Sequence, residues 1–253
     1  MLLIERVTVS KVILLLLKSH LLRVFSIYYL VTYIYFIMKK ILFILFINIL
    51  IITVFLNFKI KATTYMGTYL FVLDAGHGGK DPGTISGYIY EKDINLQIVL
   101  YLKEELERLG ARVILTRDGD YDLATPNAYR RKKSDFDHRI SLINNSKADY
   151  YLSIHLNYLD DSSYYGPQVF YSTVNDKNKD IALKLQKELN SYLGTNREIK
   201  KISNTIYMYQ RLTVPGVLIE CGFLSNKNER EKLTNDKYLR EYAEVVAKTF
   251  LKI

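Results

Sequence analysis

Apolar residues are distributed along this chain in two different ways: nearly continuous up to Phe58, then recurring at strand and helix spacings from Tyr69 onward. Residues 41–58 are 18 uncharged positions between Lys40 and Lys59, with only Asn48, Thr53 and Asn57 polar. A bilayer-spanning helix needs about 20 apolar residues, with a lower limit of roughly 17, whereas the core of a signal peptide is usually about 7–15. The run is therefore long for a signal peptide and just sufficient for a span. No A-x-A-like cleavage site follows it, Lys61-Ala62-Thr63-Thr64 being a poor match. Residues 38–67 are expected to form an uncleaved signal anchor and short linker, with a cleaved signal peptide as the alternative. Met38-Lys39-Lys40 already begins a complete export signal, so residues 1–37, with their own uncharged stretch 24–38, admit two readings. They are a further membrane segment or, preferred here, sequence upstream of the true start.

Beyond Tyr69 the pattern alternates. Tyr69-Leu70-Phe71-Val72-Leu73 is a short apolar run ending in Asp74 and a glycine-rich turn, as a buried strand does. Ile94, Ile98, Tyr101, Leu102, Leu106 and Leu109 form a helical stripe over about 93–109, and Gly110 sits where a C-terminal cap belongs. Strands follow at 112–116, 150–154, 169–172 and 217–219. Ser134-Asp135-Phe136-Asp137 resembles a capping box opening a helix that bears Phe136, Ile140 and Ile143. Further helices carry Ile181, Leu185, Leu189 and Tyr192, and at the C-terminus Tyr238, Tyr242, Val245 and Thr249. Such alternation predicts one α/β domain over 68–253, a mostly parallel mixed sheet with helices on both faces. The polar stretch 118–133 is expected to be a long loop.

Charge sharpens this division. Residues 1–67 hold eight Lys/Arg and one acidic residue, whereas the remaining 186 carry only two positive charges in excess. The overall +9 belongs to the N-terminus, which removes the case for nucleic acid as a partner. A single cysteine, Cys221, excludes an internal disulfide. By strand alternation it faces away from Glu220 and is expected to be a buried apolar residue.

Four residues share one position in this pattern. His77, Glu91, His155 and Glu220 each lie at the C-terminal end of an expected strand or the start of the following helix, the edge at which open α/β sheets bind ligands. Each has a plainer explanation by itself: a loop histidine, a helix-N-terminal acid, a strand-end histidine. Glu220 is harder to explain away, because a charge between Val217-Leu218-Ile219 and Cys221-Gly222-Phe223-Leu224 is costly without a partner or a task. Two imidazoles and a carboxylate form a recurring catalytic zinc set that leaves a fourth position open. A second carboxylate can then handle the proton. Gly76, Gly78 and Gly79 do not have the spacing of a dinucleotide- or phosphate-binding turn; a backbone passing close to a metal ligand explains them better.

Four segments carry a resemblance to a known family: Leu73-Asp74-Ala75-Gly76-His77-Gly78-Gly79, Glu91-Lys92-Asp93, Ser153-Ile154-His155-Leu156-Asn157 and the stretch 215–226. In this order and spacing they resemble the zinc-dependent N-acetylmuramoyl-L-alanine amidases over about 69–250. Ala75 replaces a usual proline and Leu156 a usual alanine. The resemblance implies Zn2+ held by His77, Glu91 and His155, Glu220 as the catalytic acid/base, and Asn157 as a substrate- or His155-orienting residue. It implies hydrolysis of the amide joining N-acetylmuramic acid to the L-alanine of the stem peptide, with peptidoglycan as partner and action outside the cytoplasm. Only residues 158–165 separate Asn157 from Gly166, too few for the site-blocking helix of some members. The stretch 130–139 and the small size most resemble the spore-cortex amidase, which acts in muramic lactam formation alongside a peptidoglycan deacetylase. A zinc endopeptidase cutting within the stem peptide and a non-catalytic wall-binding module are the alternatives.

Overall fold

The computed structural model describes residues 2–61, 66–67 and 69–253, with side chains of the N-terminal helix described at 17, 18 and 20–53. Most of the weak cleavage match, Ala62-Thr63-Thr64, and the expected domain start Thr68 lie outside the described residues. The chain forms two compact units, 1–63 and 64–253.

The first unit is one helix, α1 (Leu2–Lys61). The two apolar stretches are thus continuous, not separate segments. Within it His20–Thr53, 34 residues of mean hydropathy 2.3, is long and apolar enough to cross a membrane by length and composition. Its polar side chains turn inward: Thr32 donates to the Tyr28 carbonyl at 3.0 Å and Asn48 to that of Ile44 at 2.8 Å. Such bonds to the preceding turn satisfy these groups without water.

The second unit runs β1 (Leu70–Ala75), β2 (Ile85–Ser86), β3 (Ile89–Tyr90), α2 (Glu91–Arg108), β4 (Arg112–Leu115), α3 (Arg131–Asn145), β5 (Tyr150–Asn157), β6 (Gln168–Tyr171), α4 (Asn178–Leu193), β7 (Lys200–Lys201), β8 (Gly216–Phe223), α5 (Lys227–Leu233) and α6 (Asp236–Thr249), ending in a 3-10 turn. Six strands form one sheet in the order β4-β1-β5-β8-β6-β7; all neighbours are parallel except β6 and β8. The pleat sorts the side chains. Leu73, Ala75, Leu152, Ile154, Val217, Ile219 and Cys221 face a core built with α2, α4 and α6, and Cys221 is buried there as alternation predicts. Val72, Tyr151 and Leu218 face the other way, against Ile143 of α3 and against Met208, Tyr209 and Leu212 from the segment before β8. Helices therefore cover both faces of a mostly parallel mixed sheet.

One local expectation is corrected, and one helix is added. The segment Ser134-Asp135-Phe136-Asp137 does not open a helix: α3 starts at Arg131, and the Ser134 amide already donates to the Arg130 carbonyl at 2.9 Å. Ser134 and Asp135 instead pin the preceding loop, Asp135 accepting the Leu123 amide at 2.8 Å and Ser134 Oγ that of Thr125 at 3.0 Å. The C-terminal helix is preceded by a separate α5, whose N-cap Asn226 accepts the Glu229 amide at 3.1 Å.

Beneath the C-terminal end of β1 lies a buried ionic network. Asp74, 1% exposed, accepts bonds from Arg139 Nη1 at 2.6 Å, Ser153 Oγ at 2.6 Å and Thr116 Oγ1 at 2.9 Å. Burial opposes its charge, but Arg139 and Ser153 hold its carboxyl below the usual range. Arg139, 2% exposed, also donates to the carbonyls of Ala75 at 2.8 Å and His77 at 2.7 Å, and through Nε to Asp135 at 2.9 Å. From the other side buried Arg117 donates to Ala75 and Gly76 at 3.0 and 2.9 Å. Two cations thus clamp the turn that carries His77. Breaking a buried pair by removing one partner typically costs about 3–5 kcal/mol. Arg139→Met, which leaves Asp74 charged and buried without its principal partner, should destabilise unit 64–253 by about that amount in urea unfolding. Acid sensitivity should follow the same pair: a depressed carboxyl contributes stability above its unfolded pKa and loses it as pH falls, so the wild-type advantage over Arg139→Met should shrink below about pH 4.

Candidate metal centre and catalytic cleft

The turn after β1 brings the first candidate ligand, His77, into place by unusual backbone geometry. His77 is left-handed, with φ 63°, a strained state for a residue with a side chain, and Arg139 holds its carbonyl there. Gly76 passes so close to β5 that any Cβ would collide with the His155 ring. Gly83, at φ 66°, leaves room where a Cβ would sit 2.7 Å from both Glu91 Oε2 and His77 Cδ2. Gly76 and Gly83 thus make room around His77, Glu91 and His155, whereas a Cβ at Gly78 or Gly79 would meet Arg117, Tyr121 or Asp122 instead, so the expected approach to a candidate ligand holds for Gly76 but not for Gly78 and Gly79.

Glu91 is the first residue of α2, the position at which an acid is favoured by the helix dipole. Its task is larger than that. The carboxylate is 3% exposed; Oε1 lies 3.1 Å from His77 Nε2 and 3.1 Å from His155 Nδ1, and also accepts the Leu156 amide at 3.0 Å. Oε2 accepts the Thr84 amide at 2.8 Å. The two imidazoles meet edge to face with centroids 4.8 Å apart. One ligand atom from each of His77, Glu91 and His155 lies within 4.8 Å of the others, a group that could hold a metal ion.

The donors fit such an ion. Three lone pairs converging at this range repel one another unless positive charge sits among them. Burial works against the Glu91 anion, yet hydrogen bonds from His155 and His77 hold its carboxyl far below the usual carboxylate range. Burial likewise works against protonated His77, but Asp81 and Glu91 raise it to about 9. Both directions register the same demand for a cation, which a divalent metal meets in place of protons.

Glu220 is directly opposite His155 in the β5–β8 register, so both side chains emerge on the same face of the sheet. With His77, His155 and Tyr209 it lines a cleft of about 220 Å³. Its Oε2 is shut off from solvent and has no hydrogen-bond partner among the described residues. Burial pushes the carboxyl up to about 7, His155 pulling it back and Glu91 adding to the rise. Asn157 stands apart: it lies beyond a bulge in β5, its side chain accepts the Tyr158 amide at 2.8 Å, and it is not among the residues lining this cleft.

Sequence patterning missed Asp81. Its Oδ2 lies 3.0 Å from His77 Nδ1, the ring nitrogen turned away from Glu91, and its Oδ1 accepts the Gly83 amide at 3.3 Å. The signal was an acid four residues after a ligand histidine, in Gly78-Gly79-Lys80-Asp81. Tyr209 was also unforeseen; its hydroxyl sits 3.0 Å from Ser153 Oγ and joins the cleft floor to Asp74.

Comparison with known proteins adds the chemistry. The chain matches the family described as N-acetylmuramoyl-L-alanine amidase over residues 71–251. It is 41% identical over 187 residues to the germination-specific N-acetylmuramoyl-L-alanine amidase of Bacillus subtilis, spanning 72% of this chain and 78% of that protein. It is 30% identical to the B. subtilis amidase LytC over 72% of this chain but 34% of that longer protein. Among solved structures, the CwlD amidase of Clostridioides difficile, in complex with the GerS lipoprotein, superposes with TM-score 0.69 at 38% identity, covering 73% of this chain and 98% of that one.

Carboxylates that orient a metal-bound histidine typically contribute 10–100-fold in metal affinity. If His77 binds a metal, Asp81→Asn should weaken that binding by about 10–100-fold in a chelator competition with a divalent ion while the melting temperature of the metal-free protein changes little. An unchanged affinity would leave Asp81 without this role.

Proposed function

The chain belongs to the N-acetylmuramoyl-L-alanine amidase family, and from that premise we propose a zinc-dependent hydrolase that frees the stem peptide from N-acetylmuramic acid during maturation of the spore cortex. The observation that carries the mechanism is Glu220, whose Oε2 is shut off from solvent and unpartnered among the described residues, in a cleft also lined by His77 and His155, the two histidines that with Glu91 could hold a metal ion. Two imidazole nitrogens and one carboxylate oxygen are the donor set that suits zinc with a coordination position left open. Zinc bound there supplies Lewis acidity, polarising a carbonyl and bringing the pKa of water toward neutrality.

The protein's own groups do the rest. Glu91 Oε1 faces a ring nitrogen of each histidine, the atoms that would share the ion, and Asp81 lies 3.0 Å from Nδ1 on the far side of His77. Glu220 takes a proton from the attacking water and returns it to the departing L-alanine nitrogen. A carboxyl near 7 suits both halves of that transfer at neutral pH, since it is neither too weak a base nor too weak an acid.

The cortex role is supported by the identity with the germination-specific amidase. Removal of the stem leaves a muramic acid lactyl group free, the state that a deacetylase and lactam formation act upon next. Helix α1 would hold the enzyme at the outer face of a membrane, where its substrate lies; its 34-residue apolar stretch supports that placement.

General acid/base groups commonly contribute about 10²–10⁴-fold in rate. Glu220→Gln should keep its zinc, read by elemental analysis, and lose turnover on muropeptides by about that factor. Near-normal turnover in the metal-loaded variant would remove Glu220 from the mechanism. His155→Ala should lose the metal itself, and full occupancy would contradict its place as a ligand.

A further inference from the structure

Beside the metal cleft lies a second cavity of about 270 Å³, lined by Lys80, Asp81, Asp122, Arg131, Lys132 and Asp135. Asp81, Lys132 and Asp135 line both cavities, so the two adjoin. Three acids and three bases would cancel if they were equally exposed, but they are not. The Asp122 side chain is 5% exposed and held by Arg131 through both oxygens at 2.8 and 2.9 Å. Asp135 is likewise buried, held by Arg139 at 2.9 Å and by the Leu123 amide. Asp81 is engaged by His77 and the Gly83 amide.

The lysines face the opposite way. The Lys132 side chain is 63% exposed, and its ammonium pairs with the shared Asp81 at 3.2 Å and lies 5.9 Å from the centroid of the Phe136 ring. Lys80 is exposed and makes no ion pair or hydrogen bond among the described residues. What this cavity presents to a ligand is therefore mainly positive: Asp122 and Asp135 are buried beneath, and Asp81, 34% exposed, is the one acid in reach.

A substrate extends from the scissile amide in two directions. On the acyl side are neutral N-acetylated sugars; on the amine side is a peptide whose second residue, after L-alanine, is an acid. We propose that the Lys80–Lys132 cavity is the subsite for the stem peptide, and that its two ammonium groups select the free carboxylate of that second residue over its amidated form. This specificity rests on the amidase reading above. Because both cations are exposed, each contributes modestly, and salt screens them.

The test is a pair of muramyl-dipeptide substrates, N-acetylmuramyl-L-alanyl-D-isoglutamate and the corresponding isoglutamine, offered to the zinc-loaded full chain in detergent. The wild type should prefer the free acid by about fivefold or more in kcat/KM, mostly through KM, as expected for exposed ion pairs. That preference should shrink as ionic strength rises and fall toward one in Lys80→Gln/Lys132→Gln. Lys80→Gln alone, which breaks no contact in the structure, should lose part of it, and Lys132→Arg should retain it. Equal rates for the two substrates in the wild type, or an undiminished preference in the double variant, would overturn the subsite while leaving the amidase standing. Failure of the wild type to release L-alanyl peptide from either substrate, with peptidoglycan also left uncut, would overturn the amidase reading and the subsite with it.

Discussion

One carboxylate oxygen governs this structure. Glu91 Oε1 is buried where an isolated anion would be prohibitively costly, and it faces a ring nitrogen of His77 and one of His155 at the same 3.1 Å. The geometry makes sense only around positive charge. Much of the surrounding architecture serves to hold that arrangement. Gly76 and Gly83 clear the space that side chains would fill, and the left-handed His77 is clamped through its carbonyl by Arg139. Arg139 is in turn held by Asp74 and Asp135, so α3, on the far side of the sheet from α2, fixes the angle at which His77 meets Glu91.

The cleft then sets two carboxylates in opposite states within one site. Glu91 is surrounded by donors and stays charged; Glu220 has an orphan oxygen and a carboxyl lifted to about 7. Divergence of this kind is what the proposed division of labour requires of two groups of the same chemistry, one to bind and the other to move protons. Strand register makes the division possible, since His155 and Glu220 are paired across β5 and β8 and project to the same side.

Much of this was legible in the sequence because it is periodic or terminal. Alternation sent Cys221 into the core and Glu220 to the other face, and strand ends and one helix start drew attention to His77, Glu91, His155 and Glu220, which the structure brings close together. What could not be read was anything settled by a distant partner. Ser134 and Asp135 have the spacing of a helix cap, but the loop ahead of α3 recruits both, and the helix starts earlier without them. Asp81 is an unremarkable acid until the turn folds it back on His77. Arg139 resembles any helical arginine; only the buried Asp74 across the sheet reveals its purpose. Asn157 shows the converse: it sits within a recognisable motif, yet it follows a register shift after His155 and is not among the residues lining the cleft.

The central claim is that a metal at His77, Glu91 and His155 serves to cut one particular amide. Mass spectrometry of purified peptidoglycan digested by the protein, first stripped of metal and then restored with zinc, tests it most directly. The structure predicts no cleavage without metal and, once zinc is restored, intact stem peptides beginning at L-alanine together with glycan bearing free lactyl groups. Cleavage between residues of the stem peptide, or lactyl-amide cleavage that persists in the stripped enzyme, would contradict it.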